Sequence, residues 1–396
     1  MKDLMGEPSA IVEGHLLCAS DPYSTGNPRG YLNLGIAENH LMSDILVPYF
    51  QNHFPLEKED FQYFDLSGLP SVKQATSKFL TKYLFIKDMN PENLILFNGL
   101  SSACECLSYS MFDEGDLMMI PTPYYTGFEY DFQKRFGVDF LKVKLKPENR
   151  FQHKVSDFVE AYESCENKDK VKAILITHPH NPTGEVLEEE FLRDIVKFAK
   201  DNRLEILSDE IYALTRMDQG NHRSIYEFAG DYREHIHFMY GLAKDFTLAG
   251  LKVGIFYTEN PQLKEAMSSL TYFHCTNALT QRFLEQFLSD YVFLDEFIKL
   301  NQVRLKEVKN HLTQSLPDMK IIDGDSGLFF LLDLREYLPE QSFDAETKLF
   351  QKLLNEHKIF LTAGQDLGME VPGYFRLCFA KAPEIIDEFI LRFKGL

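Results

Sequence analysis

An arginine, a lysine and a pair of carboxylates stand in this chain next to runs that are otherwise apolar. Arg376 lies inside PGYFRLCFA (372–380), and a guanidinium buried in such a strand demands a carboxylate or phosphate partner. Lys244 follows HIHFMY (235–240) within YGLAKDFTLAGLKVG (240–254), among glycines at 241, 250 and 254. A lysine amine is nucleophilic near neutral pH only when it is desolvated or flanked by another cation. In SDEIY (208–212) an apolar run leads directly into Asp209 and Glu210, and NPTG (Asn181 to Gly184) follows the run that stops at Thr177. Each has a plainer explanation taken alone: a surface lysine, solvated or helix-capping acids, and a type I turn with proline second and glycine fourth. In FNGLSSACECL (97–107) an Asn-Gly turn precedes a helical pattern, with Ser102 and Glu105 at capping-box spacing. Free amides at such a helix start bind anions. PTPYYTGF (121–128) sets an aromatic pair in a loop, an arrangement that is otherwise often packing.

The elements that must position these residues alternate. LILF (94–97), LMMI (117–120), VDFLKV (138–143), VKAILIT (171–177), LEILS (204–208) and HIHFMY read as strands. Between several of them lie helical patterns such as 188–202, where apolar residues recur at three and four. Continuous apolar strands imply burial on both faces, so the expected fold class is α/β, a three-layer, mostly parallel sheet covered by helices. Open sheets of this kind place ligands at strand ends, which is where the four motifs fall. From about 280 onward helix dominates, including 289–312, with strands at GLFFLLDL (327–334) and YFRLCFA (374–380). The expected division is a large domain over 50–280 and a smaller α+β domain over 281–396. Residues 1–49 form an amino-terminal segment that contributes to the smaller domain.

Composition narrows the partners. Sixty acidic against forty-one basic residues leave a formal charge of −19, which disfavours nucleic acid and anionic membrane surfaces. No apolar run reaches the ~18 residues of a membrane span, and MKDLMGEPSA has no apolar leader. Six scattered cysteines, with no CxxC pair, fit a reduced compartment, and a soluble cytoplasmic protein is expected. His178 and His180, and His235 and His237, have ligand-like spacing, but no carboxylate or cysteine partner is evident, so no metal is expected. The run EVLEEE (185–190) reads as a solvated helix start.

The four motifs in this order, over nearly the whole chain, resemble the fold-type I pyridoxal-phosphate enzymes of the class I/II aminotransferase family. The spacings of 28 residues from Asn181 to Asp209 and 35 from Asp209 to Lys244 match that family's strand–helix units. The resemblance implies pyridoxal 5'-phosphate as cofactor and Lys244 as the lysine that links to its aldehyde and moves the substrate α-proton. It implies Asp209 at the ring nitrogen, Asn181 and Tyr212 at the phenolic oxygen, and Tyr125 against the ring face. Gly99, Leu100, Ser101 and Lys252 correspond to phosphate-binding positions, and Arg376 to the arginine that grips the substrate carboxylate. Within the family, NPRGYLNLGIAENHL (27–41), PTPYYTGF, THPHNPTGEVL and SDEIYA are most similar to 1-aminocyclopropane-1-carboxylate (ACC) synthases and synthase-like proteins. That places Glu38 in the active site and implies a homodimer with a shared site.

Three positions depart from the synthase pattern. Gly241 replaces a serine, Lys252 an arginine, and Leu66 a tyrosine lent by the other subunit; Tyr63 is the candidate to stand in for that tyrosine. The implied activities are S-adenosylmethionine elimination and cyclisation, transamination, or C–S β-elimination from a sulfur amino acid. A non-catalytic binding protein on the same fold is the alternative of a different class.

Overall fold

The computed structural model describes residues 10–53 and 58–396. The first nine residues, which carry most of the segment read as lacking an apolar leader, lie outside the described residues. The first strand, β1 (Leu32–Asn33), belongs to the amino-terminal segment. The next seven build one sheet: β2 (Leu94–Asn98), β3 (Leu117–Thr122), β4 (Asp139–Lys144), β5 (Val171–Thr177), β6 (Glu205–Asp209), β7 (Ile236–Gly241) and β8 (Val253–Tyr257). Their order is β2-β8-β7-β6-β5-β3-β4. β4, β3, β5, β6 and β7 run parallel, whereas β8 is antiparallel to both β7 and β2.

β8 was not apparent from sequence, because VGIFY follows directly on the lysine motif. Its direction has a simple cause. A parallel return needs a crossover of a dozen or more residues, and the segment between Gly241 and Val253 is shorter than that. The strand therefore comes straight back along its neighbour.

Burial on both faces of the sheet follows the period of two. Leu94, Leu96, Ile174, Ile176, Ile206 and Phe238 point into one core, and Ile95, Phe97, Ala173, Leu175, Leu207 and Met239 into the opposite one. Helices cover both. Glu189–Asn202 buries Phe191, Leu192, Ile195, Val196, Phe198 and Ala199 on one stripe, the spacing that the 188–202 pattern requires.

A second sheet has the order β12-β13-β10-β9, all antiparallel: β9 (Ile321–Ile322), β10 (Phe329–Asp333), β12 (Thr362–Ala363) and β13 (Tyr374–Cys378). β11 (Ile359–Phe360) pairs in parallel with β1 and so ties the amino-terminal segment to this part of the molecule. The 25-residue helix Tyr291–Ser315 joins the two halves. Its Leu294 and Phe297 enter the core of the large sheet, and its Leu305 and Leu312 the core of the small one. Met42, Leu46 and Tyr49 also pack into the large-sheet core. No helix of the described residues is long and apolar enough to cross a membrane.

Candidate active site

Register brings three of the motifs to one edge of the large sheet. Thr177 pairs with Asp209, Asp209 with Met239, and Gly241 with Gly254, so the carboxyl ends of β5, β6 and β7 lie side by side. A cavity of about 210 Å³ opens there. Its walls include Gly99, Leu100, Ser101, Tyr125, Asn181, Asp209, Tyr212, Lys244 and Lys252, so nine of the sequence-derived positions converge.

Lys244 stands in the short helix Leu242–Asp245 that follows β7, and its Nζ donates to the carbonyl of Ala37 at 2.6 Å. Part of the side chain faces the cavity, yet protein surrounds it. Burial, with Arg376 nearby, lowers its pKa to about 8. The neutral amine that nucleophilic chemistry requires is therefore accessible near physiological pH. The next residue, Asp245, is buried, accepts from Tyr240 Oη at 2.7 Å and from the amide of Leu214 at 3.0 Å, and so pins the helix that carries the lysine.

Asp209 and Glu210 separate by strand alternation. Asp209 faces the cavity, with Oδ1 accepting from the amide of Ile211 at 3.1 Å, and burial raises its pKa to about 7. Glu210 turns into the protein, where Ser208, Ser224, His222 and the amide of Ile225 satisfy it. Only the first is left open for a ligand.

Arg376, in the middle of β13, is 5% exposed. Nη1 donates to Asn181 Oδ1 at 3.1 Å, and Nη2 to the carbonyl of Gly35 at 2.6 Å and to Thr362 Oγ1 at 3.3 Å. None of these partners is charged, and Nε has no partner at all. A buried guanidinium held by neutral groups, with a donor unused, is a receptor for an anion. Tyr212 is buried edge-to-face against Phe329, and burial raises its hydroxyl well above the usual tyrosine range. Tyr125 is 39% exposed; its ring lies where a Cβ on Gly127 would come within 2.2 Å, so only glycine permits that placement.

The opposite end of the cavity is built for an anion. The helix Leu100–Met111 starts directly after Gly99, whose φ of 87° belongs to glycine. A Cβ at Gly99 would sit 3.1 Å from Lys252 Cε and 3.2 Å from its Nζ, so the ammonium lies over the head of the helix. First-turn amides and a lysine together favour a phosphate. The donor set thus fits pyridoxal 5'-phosphate: an anion cradle at one end, and at the other a lysine with a lowered pKa and a carboxylate whose charge wants a cationic partner.

Several expectations need correction. The capping box does not form: Ser102 donates to the Asn98 carbonyl at 3.0 Å, and Glu105 instead meets Arg135. The helix starts at Leu100, so Ser102 is already inside its first turn and Gly99 is the cap. The Asn181–Gly184 segment closes from the amide of Gly184 to the carbonyl of His180 at 2.8 Å, one residue wider than a type I turn. Glu185 is not part of a solvated helix start; that helix begins at Glu189, and Glu185 is half-buried against His153. The histidines do have carboxylate partners. His235 and His237 both meet Glu205, and His180 lies with His153 and Glu185.

Three of the sequence-derived residues lie outside the cavity wall: Arg376, which reaches it through Asn181, and Glu38 and Tyr63. Glu38 is half-exposed, 3.4 Å from His40, with its pKa lowered to about 2 by His40, Lys381 and Lys244. Tyr63 is fully exposed. One residue was missed: Asp131, in the turn of helix after Tyr125, lines the cavity beside Ser101. Burial and the charge of Asp209 raise it to about 8. The only sequence signal was its place three residues after Phe128, one helical turn along the same face.

The profile of the family described as aminotransferase class I and II matches residues 30–393. 1-Aminocyclopropane-1-carboxylate synthase 6 of Arabidopsis thaliana is 32% identical over 394 residues, covering 95% of this chain and 80% of its own. 1-Aminocyclopropane-1-carboxylate synthase 2 of Solanum lycopersicum is 30% identical over 395 residues, covering 95% and 81%. Among solved structures, a double mutant of Thermus thermophilus aspartate aminotransferase superposes with a TM-score of 0.83 at 20% identity, covering 100% of this chain and 98% of that one. At that identity the likeness speaks to the fold.

Proposed function

Because the chain belongs to the class I and II aminotransferase family, a family of pyridoxal-phosphate enzymes acting on amino acids, we propose that Lys244 carries the cofactor and that the enzyme acts as an ACC synthase does, on S-adenosylmethionine. The observation that carries this reading is the convergence of Lys244, Asp209 and Asn181 on one cavity, with Arg376 hydrogen-bonded to Asn181 at its wall, in a chain 30–32% identical to such synthases over 95% of its length.

When bound, the cofactor supplies an electron sink for the bond breaking at the substrate α-carbon. Asp209 would hold a proton at the ring nitrogen, a cationic partner that favours its charged form. Asn181 and Tyr212 would hold the phenolic oxygen, and Tyr125 would offer its ring to the cofactor. Leu100 and Ser101 amides with Lys252 hold the phosphate, and Gly99 leaves them room. Arg376 turns its unused donor edge to the substrate carboxylate, which fixes the α-carbon near Lys244. Lys244 then takes the α-proton, its lowered pKa suiting it to act as a base near neutral pH.

Glu38 would meet the far part of the substrate. Its loop also supplies Ala37 to Lys244 and Gly35 to Arg376, so it is tied to both. We further assign a cytoplasmic homodimer in which exposed Tyr63 reaches the partner's phosphate. In the same reading residues 50–280 hold the cofactor, 281–396 form the smaller domain, and 1–49 contribute to the latter through β1, while Met42, Leu46 and Tyr49 pack on the large sheet.

Product analysis decides. S-adenosylmethionine should yield 1-aminocyclopropane-1-carboxylate and methylthioadenosine. If it is untouched while an amino acid and a 2-oxo acid exchange their amino group, the enzyme is an aminotransferase. Release of thiol from a sulfur amino acid would instead mark a C–S β-lyase.

A further inference from the structure

We propose that His153, His180 and Glu185 form a binding site for one divalent transition-metal ion of the zinc type, outside the catalytic cavity. His153 comes from the loop after β4, whereas His180 and Glu185 flank the loop after β5. One donor atom from each side chain lies within 4.8 Å of the others. Two imidazoles and a carboxylate are a ligand set that zinc accepts readily.

The local hydrogen bonds prepare the ligands. His153 Nδ1 is 2.7 Å from Glu185 Oε2, and the His153 amide also points at both carboxylate oxygens, at 3.2 and 3.3 Å. An ion bound here takes the place of the proton shared by His153 Nδ1 and Glu185 Oε2, which makes both of them ligands. Nε2 of His153 is buried and has no hydrogen-bond partner. Nε2 of His180 is also without a hydrogen-bond partner among the described residues, with the Pro123 carbonyl close to the ring. The two rings meet edge-to-face with centroids 4.5 Å apart, and His180 Nδ1 is fixed by Thr183 Oγ1 at 2.8 Å.

The ion has a way in. His153, Thr183 and Glu185 line an open cavity of about 490 Å³ whose wall also carries Asp323 and Asp325. Ligand atoms around a tetrahedral zinc stand about 3.3 Å apart, so closure asks for a shift of about 1.5 Å at most. Glu185, the half-exposed member, has the freedom to make it. An ion held there would clamp the 150–153 loop to the segment whose next residue is Asn181.

The test uses the purified protein with its cofactor bound, treated with chelator and kept free of amino acids. Equilibrium dialysis against zinc sulfate should find one equivalent per chain, and zinc should raise the melting temperature. His153→Gln and Glu185→Gln should each weaken binding at least tenfold and abolish that rise; the second keeps the hydrogen bonds of the loop if the first does not fold. A Cys165→Ser/Cys275→Ser variant should retain the full equivalent. No bound zinc in the parent, unchanged binding in both ligand variants, or loss of the ion with the two cysteines would overturn the proposal.

Discussion

Asp209 ends β6 in a site where burial raises its pKa to about 7, so a cation in the cavity would favour its charged form. Asp209→Ala is expected to leave some cofactor bound but to slow α-proton removal by ~2.7–4 kcal/mol, the scale seen for preorganised electrostatic groups. Single-turnover kinetics with a deuterated α-carbon would measure it, and near-normal turnover would refute the role. Arg376 gives a second test. Truncation to alanine should weaken amino acid binding by ~2–5 kcal/mol, and Arg376→Lys should recover only part because the paired donor geometry is lost. Spectral titration with substrate reads both. Sequence had marked Arg376 because a guanidinium inside PGYFRLCFA needs an anionic partner, whereas acids at a strand end are commonly solvated or capping. The residues alone did not separate Asp209 from Glu210, which differ only in the side of the strand they leave by; the family resemblance did. Asp131 was hidden for a related reason: its neighbours in the cavity, Ser101 and Lys252, are far from it in sequence.

The elements around the phosphate cradle carry the next expectations. Gly99→Ala puts a side chain at φ 87° and 3.1 Å from the Lys252 stem. Backbone strain of ~1–3 kcal/mol and displacement of the ammonium should both follow, so the variant should melt lower and release cofactor faster. Lys252→Arg should slow release, because a charged fork adds to the hydrogen bonding; each such charged bond contributes ~1.5–3 kcal/mol. Gly241→Ser is the poorer restoration. Its Cβ would stand 3.0 Å from the Val253 carbonyl, where β7 meets β8. Unchanged release rates in both Gly99→Ala and Lys252→Arg would mean that other groups hold the phosphate. Most of these elements were legible, since eight strands and two long helices follow from apolar runs and from recurrence at three and four. β8 and the two-residue strands were not. They owe their existence to partners such as β2 and β13 rather than to any pattern of their own.

Across the whole molecule, the loop at Gly35–Glu38, the edge of the large sheet and β13 of the small sheet must come together before Lys244 and Arg376 stand near one another. Sequence could name the residues but could not show this closure, which depends on β1 pairing with β11 more than 300 positions away. The assembled site also sets a pH dependence. Lys244 is lowered to about 8, so below that pH its amine is increasingly protonated and cannot attack an aldehyde. Loading of cofactor-free protein should therefore accelerate as pH rises through about 8, and stopped-flow absorbance would follow it. A rate that fell over the same interval would contradict the assignment. Sedimentation equilibrium should give twice the 45.9 kDa chain mass if Tyr63 serves a partner. The central claim is that Lys244 carries the cofactor. Borohydride reduction of the loaded protein, followed by proteolysis and mass spectrometry, tests it most directly: the phosphopyridoxyl group should appear on the peptide containing Lys244, and its appearance on another lysine, or on none, would contradict the account.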